Sequence, residues 1–265
     1  MMTRYLNLFK FEMKNILKDS MTVVLLIYPL LIIGLGAFVL PVLLKRYGGD
    51  TPGTITAGLV MIVVFATVAP FITAALLGFG LLDNRDENTL DTIRVTPLSL
   101  KGYLIFKSVY AYVLSVNASF FSVMGTKWLS GDGYTIMGID LFAEFTVGTV
   151  FIYALVGGLF TPVFGLFLAA VAKNKIEGFA YMKSAGMIVI VPALIVLETM
   201  QDAKQYLLGI IPIFWPVKGL LKMSIPDFLH NPADLPAWLY PLIGAAYMIL
   251  LIGIAYRFFE KKVQH

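Results

Sequence analysis

The sequence predicts an all-α membrane protein with six transmembrane helices. Hydrophobic residues make up 59% of the 265-residue chain, and its mean hydropathy of +0.85 is far above that of an ordinary soluble domain. Charged residues are only 14% of the chain and are gathered between long apolar runs. This composition excludes a soluble enzyme.

Six apolar runs are long enough to cross a hydrocarbon core, for which about 20 residues are needed. The fifth run is the weakest, because Lys183 lies inside it. A further apolar stretch, residues 206–217, is too short and too rich in proline to span, so we expect a short re-entrant or surface-lying element before the last span. The predicted spans are residues 21–44, 57–82, 104–125, 145–171, 178–197 and 238–259.

Residues 3–20, which precede the first span, carry an amphipathic helical pattern. Leu6, Phe9, Met13 and Ile16 recur at steps of three and four, while lysines line another face. This pattern predicts an interfacial helix that lies in the headgroup layer with its apolar face down. The alternative is an ordinary positively charged flank of the first span, and both interpretations give the same topology.

The distribution of lysine and arginine predicts that both termini are cytoplasmic. In that orientation the inner segments carry 14 of the 20 Lys and Arg residues and the outer segments carry six. Trp128, Trp215 and Trp238 then lie in or beside the outer loops, where an interfacial aromatic belt is expected. Topology therefore explains the net charge of +4, and no nucleic-acid partner is needed.

Residues 83–99, DNRDENTLDTIRVTPLS, form a densely charged segment between the second and third spans. Asn88 can cap the start of a short helix, and Pro97 disfavours its continuation. Leu90 and Ile93, one turn apart, give this helix an apolar edge. We expect a capped helix on the cytoplasmic side that docks another protein; the alternative is a solvated connector.

Several kinds of site are missing from the sequence. The predicted spans contain no Asp or Glu at depth: Glu144 and Glu198 lie at outer ends, while Lys107 and Lys183 lie near inner ends and can extend to the membrane surface. A carrier coupled to an ion gradient therefore lacks its carboxylate. The chain has no cysteine, no HExxH pattern and no GxxxxGK[ST] loop, which leaves no catalytic or metal site and no nucleotide site of its own.

The segment RDENTLDTIRVTPLSLKGYLIFK, residues 85–107, resembles the signature of ABC-2 type transporter permeases. The family commonly has Gly where this chain has Asn88. The resemblance extends over the whole chain, from the interfacial helix to the apolar pieces before the last span. The matching positions are Asp86–Glu87, Thr89–Leu90, Ile93, Val95–Ser99, Tyr103–Leu104 and Lys107.

The resemblance implies the membrane subunit of an ATP-binding-cassette exporter, with the type V exporter fold, in a prokaryotic plasma membrane. Two permease subunits, identical or paralogous, would form the pathway, and two copies of a cytoplasmic ATPase would bind ATP and Mg²⁺; the chain itself would hold no cofactor. Residues 83–99 would contain the coupling helix, and residues 172–178 would make a lesser contact. The implied docking residues are Arg85, Asp86, Glu87, Thr89, Leu90, Ile93 and Arg94.

In this family the pathway runs along the dimer interface and is lined largely by the second and fifth spans. The 206–217 element would form part of an outer gate. Apolar, aromatic spans without a charged ring favour a hydrophobic or amphipathic cargo, such as a drug, a peptide antibiotic or a lipid, and the VTPLS run is closer to drug-export members. The implied pathway residues are Phe65, Phe71, Thr73, Met187 and Ile190.

Two other functions remain open at this point. A non-transporting sensor or scaffold could hold a partner through the same loop. A carrier working without ATP would have to accumulate its cargo on an ion gradient alone, and the missing carboxylate argues against it. Transport into inverted vesicles that contain the ATPase separates these possibilities.

Overall fold

The helices are placed by a computed structural model. It describes residues 20–87, 89, 100–200, 202–225 and 233–264. The predicted interfacial helix, residues 3–20, lies outside the described residues apart from Ser20, and so does most of the segment after Glu87.

Six helical segments of the described chain are long and apolar enough to cross a bilayer, with 22 to 35 residues each. The prediction of a helical chain with six candidate spans is thereby confirmed. The fourth span, Val147–Val171, consists of two helices, and the fifth, Lys175–Val196, consists of a helix that ends at Ala185 and is continued by 3₁₀ turns. The helices are α1 (Ser20–Gly34, continued by the turns Leu35–Val39, Leu40–Leu43 and Leu44–Gly48), α2 (Pro52–Asp86), α3 (Leu100–Ser130), α4 (Val147–Gly158), α5 (Phe160–Val171), α6 (Lys175–Ala185), α7 (Phe214–Ser224) and α8 (Leu239–Gln264).

The longest helix, α2, has a well-defined start. The side chain of Thr51 accepts a hydrogen bond from the backbone N–H of Thr54, and Pro52 occupies the first turn, where its missing N–H costs nothing. The helix continues through Asp86, four residues beyond the predicted end of the second span. Polar residues extend it because their side chains find partners on neighbouring segments, as described below.

The second and fourth spans form the centre of the bundle. The most apolar parts of α2 and of the α4–α5 span are 61% and 67% buried, against 22–33% for the other four spans. Glycines allow this close contact: a Cβ atom added at Gly165 would lie 2.9 Å from the carbonyl oxygen of Ala74, and one at Gly78 would lie 2.7 Å from Leu168. Backbone-to-backbone packing of α2 and α5 is therefore the core on which the other helices assemble.

Pro70, inside α2, deprives the Ala66 carbonyl of its intrahelical donor. The hydroxyl of Tyr153 on α4 donates to that carbonyl at 2.7 Å. One turn away, the Tyr28 hydroxyl on α1 donates to the carbonyl of Ala69 at 2.6 Å. Tyr153 thus satisfies the carbonyl that Pro70 leaves unpaired, which is the condition for a proline break in a bilayer.

A small hairpin covers one end of α1 and α3. The strands β1 (Thr135–Ile136) and β2 (Ile139–Asp140) pair antiparallel through a two-residue turn, Met137–Gly138, with φ of 53° and 76°. Positive φ at both positions gives the tight turn that suits twisted strands. The Tyr134 hydroxyl donates to the Gly36 carbonyl at 2.7 Å and fixes the hairpin to α1.

The stretch between the fifth and sixth spans consists of two helical pieces. Residues 206–217, predicted as one short element, fall on the 3₁₀ turn Ala203–Ile210 and on the start of α7, with Pro212 between them. Phe214 and Val217 are fully buried. Since α7 packs against α4 and α8, this stretch is joined to the bundle core.

Candidate functional site

The last residues of α2 and α5 and the first residues of α3 and α6 meet at one end of the bundle, called here the Arg85 end. The Arg85 guanidinium donates to the carbonyls of Ala169, Ala172 and Lys173 at 3.1, 2.6 and 2.5 Å. These carbonyls lie where α5 ends, and the last carbonyls of a helix lack intrahelical donors and attract cations. Arg85 therefore caps α5 while belonging to α2.

A second tie joins α2 to the start of α6. The Lys175 ammonium lies 2.8 Å from a carboxylate oxygen of Asp83, and the Lys175 backbone N–H donates to Asp86 at 3.3 Å. Asn174 caps α6 by accepting from the N–H of Glu177 at 2.9 Å. The Asp83–Lys175 pair is about one-third exposed, so it contributes at most about 1 kcal/mol and acts mainly to orient the two segments.

The start of α3 is held against α2 by two polar contacts. The Asn84 amide donates to the Tyr103 hydroxyl at 2.6 Å, and the Lys107 ammonium donates to the Gly80 carbonyl at 2.9 Å. Lys107 is only 7% exposed, so it does not extend to the membrane surface as the sequence suggested. The absence of a side chain at Gly80 explains this difference, because a Cβ there would lie 3.2 Å from the ammonium nitrogen.

The predicted docking residues are only partly within the described chain. Arg85 is tied to α5, while Asp86 and Glu87 are exposed where α2 ends, and Thr89 is half-buried. The structure thus shows the base of the loop and its connections to α5 and α6. Three predicted docking residues lie outside the described residues: Leu90, Ile93 and Arg94.

The three predicted pathway residues on α2 face neighbouring helices of the same chain. The Phe71 ring packs against Phe164 with centroids 5.5 Å apart, and the Thr73 hydroxyl lies 2.9 Å from that of Thr161. Phe65 is half-buried against the residues that join α1, α2 and α3. These three side chains therefore do not line one common channel within a single chain.

The two predicted pathway residues in the fifth span lie on the outer surface. Met187 is 73% exposed and Ile190 is 53% exposed. Between them, Val189 is buried, and its carbonyl accepts a hydrogen bond from Thr67 of α2 at 2.8 Å. The structure separates this pair from the α2 residues and leaves it accessible on the surface of the chain.

A buried charged cluster, which sequence reasoning missed, lies at the other end of the bundle. Asp234 forms ion pairs with Lys218 at 2.9 Å and Lys222 at 2.8 Å. Its carboxylate also accepts hydrogen bonds from the Gln205 amide and the Tyr240 hydroxyl, both at 3.2 Å. This Asp234 cluster connects the 3₁₀ turn, α7 and α8, and the side chains of Lys218 and Asp234 are 2% and 4% exposed.

Burial and pairing shift the pKa values in the Asp234 cluster. Burial lowers the pKa of Lys218 below its usual 10.5, and pairing with Asp234 only partly opposes this. Burial by itself would raise the pKa of Asp234, but hydrogen bonds from Lys222 and Lys218 outweigh it and leave the pKa below the usual 3.8. The spacing of Lys218 and Lys222, one helical turn apart, was the available sequence signal; nothing in the sequence assigned Asp234 as their partner.

The described residues contain no group of three His, Cys, Asp or Glu side chains placed to hold a metal ion. Their charged clusters instead act as ties between helices at the two ends of an apolar bundle. This arrangement, with six helices able to span a bilayer, is that of a multi-pass membrane protein.

Comparison with known proteins then gives the family. The sequence model of the Rv2686c-like fluoroquinolones export permeases matches residues 12–256, so the chain belongs to this family. Two relatives are the fluoroquinolones export permease proteins Rv2686c and MT2760 of Mycobacterium tuberculosis, strains ATCC 25618 / H37Rv and CDC 1551 / Oshkosh. Each is 25% identical over 256 residues, which cover 95% of this chain and 92% of the relative. The chain is thus a membrane permease of an exporter family.

Proposed function

We propose that this chain is the membrane-spanning subunit of an ABC-2 type exporter. It moves a hydrophobic or amphipathic compound out of the cell, and the names of its relatives make fluoroquinolones the first cargo to test. The observation that carries this proposal is the match to an export permease family over residues 12–256. The resemblance of residues 85–107 to the ABC-2 signature is the reason for proposing ATP hydrolysis as the energy source.

Energy enters through a separate cytoplasmic ATPase, two copies of which bind ATP and Mg²⁺. Its docking site is the segment of residues 83–99, with residues 172–178 as a lesser contact. The ties of Arg85 to three carbonyls at the end of α5, and of Asp83 to Lys175, support this role. A displacement of the loop would move the end of α2 together with α5 and α6, and α2 and α5 are the central helices.

A second permease subunit, identical or paralogous, completes the pathway. Met187 and Ile190 support this arrangement, because they are large apolar side chains left exposed on the fifth span. Phe65, Phe71 and Thr73 would take part as α2 shifts against its neighbours during the transport cycle.

Orientation is tested first, with single cysteines introduced into a chain that has none. Asp86→Cys at the Arg85 end and Asp202→Cys at the other end are both exposed positions. A membrane-impermeant maleimide applied to intact cells should label Asp202→Cys at once and Asp86→Cys only after permeabilisation. Labelling of Asp86→Cys in intact cells would place the loop outside and refute the proposed coupling.

Docking is tested by co-expression with the ABC ATPase subunit that the proposal requires. Leu90→Asp and Ile93→Asp should abolish co-purification and cargo-stimulated ATP hydrolysis, because a carboxylate on the apolar edge cannot enter an apolar groove without a large desolvation cost. Ile139→Asp, the same change at an exposed position of the opposite end, is the matched control. If both loop variants bind and stimulate the ATPase normally, the docking assignment is wrong.

Transport is separated from scaffolding in inverted vesicles that contain both subunits. ATP-dependent uptake of a fluoroquinolone that fails without the ATPase supports the exporter. Partner binding with no uptake would favour the scaffold, and uptake driven by an ion gradient alone would favour a carrier.

A further inference from the structure

A cavity of about 340 Å³ lies between α1, α2 and α3. Tyr28 and Thr73 form part of its inner wall and are buried, whereas Leu30 and Phe121 at its rim are 68% and 48% exposed. The cavity therefore opens towards the outer surface of the bundle. Its volume falls within the range of small-molecule sites, which begins at about 300 Å³.

The cavity lies near the middle of the membrane-spanning helices. Asn117 follows Leu100, the start of α3, by 17 residues and precedes Ser130, its end, by 13. At a rise of about 1.5 Å per residue, these separations correspond to about 25 and 20 Å along the helix. An opening at this depth faces the hydrocarbon core of a bilayer rather than water.

Asn117 is the polar group of the cavity whose bonding capacity is least used. Its amide nitrogen donates to the Val113 carbonyl at 2.8 Å. Its side-chain oxygen and second amide hydrogen have no partner among the described residues, and the side chain is exposed. A polar group in hydrocarbon without hydrogen bonds costs free energy, so a bound molecule that supplies them is stabilised there.

We propose that this cavity is a lateral binding site for an amphipathic aromatic compound, which enters from the bilayer and hydrogen-bonds to Asn117. The inference deepens the proposed function and rests on it, since it names a cargo site of the exporter. Tyr28 and Phe121 offer aromatic surface, and the Tyr28 hydroxyl is fixed by its bond to Ala69. An acyl chain would fill the volume but leave Asn117 unsatisfied, which favours an aromatic compound with both donor and acceptor groups.

The position of the cavity also connects binding to the Arg85 end. Its α2 wall includes Thr73, whose hydroxyl pairs with Thr161 of α5. The same two helices are tied at the Arg85 end by Arg85 itself. A shift of α2 against α1 and α3 changes the width of the cavity, so cargo release and ATPase movement would share one helix.

The test measures binding of norfloxacin, an intrinsically fluorescent fluoroquinolone, to the full chain in lipid nanodiscs without ATP. Asn117→Leu keeps the branched shape of the side chain and removes the amide, and should weaken affinity about three- to tenfold, as expected for one or two lost hydrogen bonds. Leu114→Phe fills the cavity from its wall and should weaken binding further. Val109→Phe adds bulk at an exposed position of α3, two turns from Asn117 and outside the lining, and should leave affinity unchanged.

The proposal is overturned if the unmodified chain does not bind norfloxacin, or if it binds and both Asn117→Leu and Leu114→Phe keep full affinity. It is also overturned if Asn117→Leu changes the oligomeric state by light scattering but not the affinity, because the cavity would then hold a second copy. Binding without ATP is independent of docking. If the Leu90→Asp and Ile93→Asp variants refute ATPase docking, the chain could still bind norfloxacin. Failure of the proposed function and failure of the cavity site are therefore distinguishable.

Discussion

Replacing Tyr153 by Phe should destabilise the bundle, because the Tyr153 hydroxyl bonds a carbonyl that Pro70 leaves unpaired on α2. Pro70 leaves the Ala66 carbonyl without its helical donor, and the Tyr153 hydroxyl supplies one at 2.7 Å from a side chain that is 1% exposed. An unsatisfied buried carbonyl costs about 1–3 kcal/mol in soluble proteins, whereas hydrogen bonds between membrane helices average about 0.6 kcal/mol and reach about 1.7 kcal/mol. We expect a loss of about 1–1.5 kcal/mol, near the upper value for membrane helices, because both Tyr153 and Ala66 are buried.

A double-mutant cycle isolates this contribution from other effects of the substitutions. Pro70→Ala restores the backbone N–H that pairs with Ala66, so Tyr153→Phe in that background should cost less than about 0.5 kcal/mol. The assay is equilibrium unfolding in mixed micelles of a mild detergent and sodium dodecyl sulfate. Tyr28→Phe is the control: its acceptor, the Ala69 carbonyl, also accepts from Thr73 at 3.0 Å, so its loss should be smaller.

Equal costs of Tyr153→Phe in the two backgrounds would refute this reasoning. The hydroxyl would then contribute through packing or through another acceptor, and the proline would be irrelevant to it.

Three further predictions concern stability. Gly165→Ala places a methyl group 2.9 Å from the Ala74 carbonyl oxygen and should lower the free energy of unfolding by about 1–3 kcal/mol in the same assay. The control Gly253→Ala, where the added methyl group meets nothing within 4 Å, should be neutral or slightly stabilising. Equal effects of the two substitutions would disprove tight α2–α5 packing. Asp234→Asn leaves two lysines without their counter-ion and should cost about 3 kcal/mol, whereas Asp202→Asn, in an exposed pair 3.9 Å apart, should stay within about 0.5 kcal/mol. Because folding lowers the pKa of Asp234, its contribution to stability is complete above pH 3.8 and is lost as the pH falls through the lower folded-state pKa. The thermal half-life should therefore fall less between about pH 6 and about pH 3 in Asp234→Asn than in the unmodified chain. Parallel curves of half-life against pH would contradict the assignment.

The amino-acid sequence by itself determined the class of this protein. The length of the apolar runs predicted six candidate spans, and this succeeded because the requirement for about 20 apolar residues is local to each run. The signature in residues 85–107 pointed to a permease, and membership of the export permease family agrees with that at the coarser level. Pro70 frees the Ala66 carbonyl by the same kind of local rule, but the sequence did not identify Tyr153 as the donor that replaces the lost bond.

Contacts across helices were decided only by the tertiary structure. The rotation of each helix about its axis sets which side chains meet, and apolar spans that are uniform around their circumference give no periodic signal for that rotation. This is why Lys107 was expected at the membrane surface and instead bonds Gly80, and why Asp234 had no predicted partner. It is also why the cavity beside Asn117 was not foreseen: its walls come from three helices whose relative rotation only packing fixes.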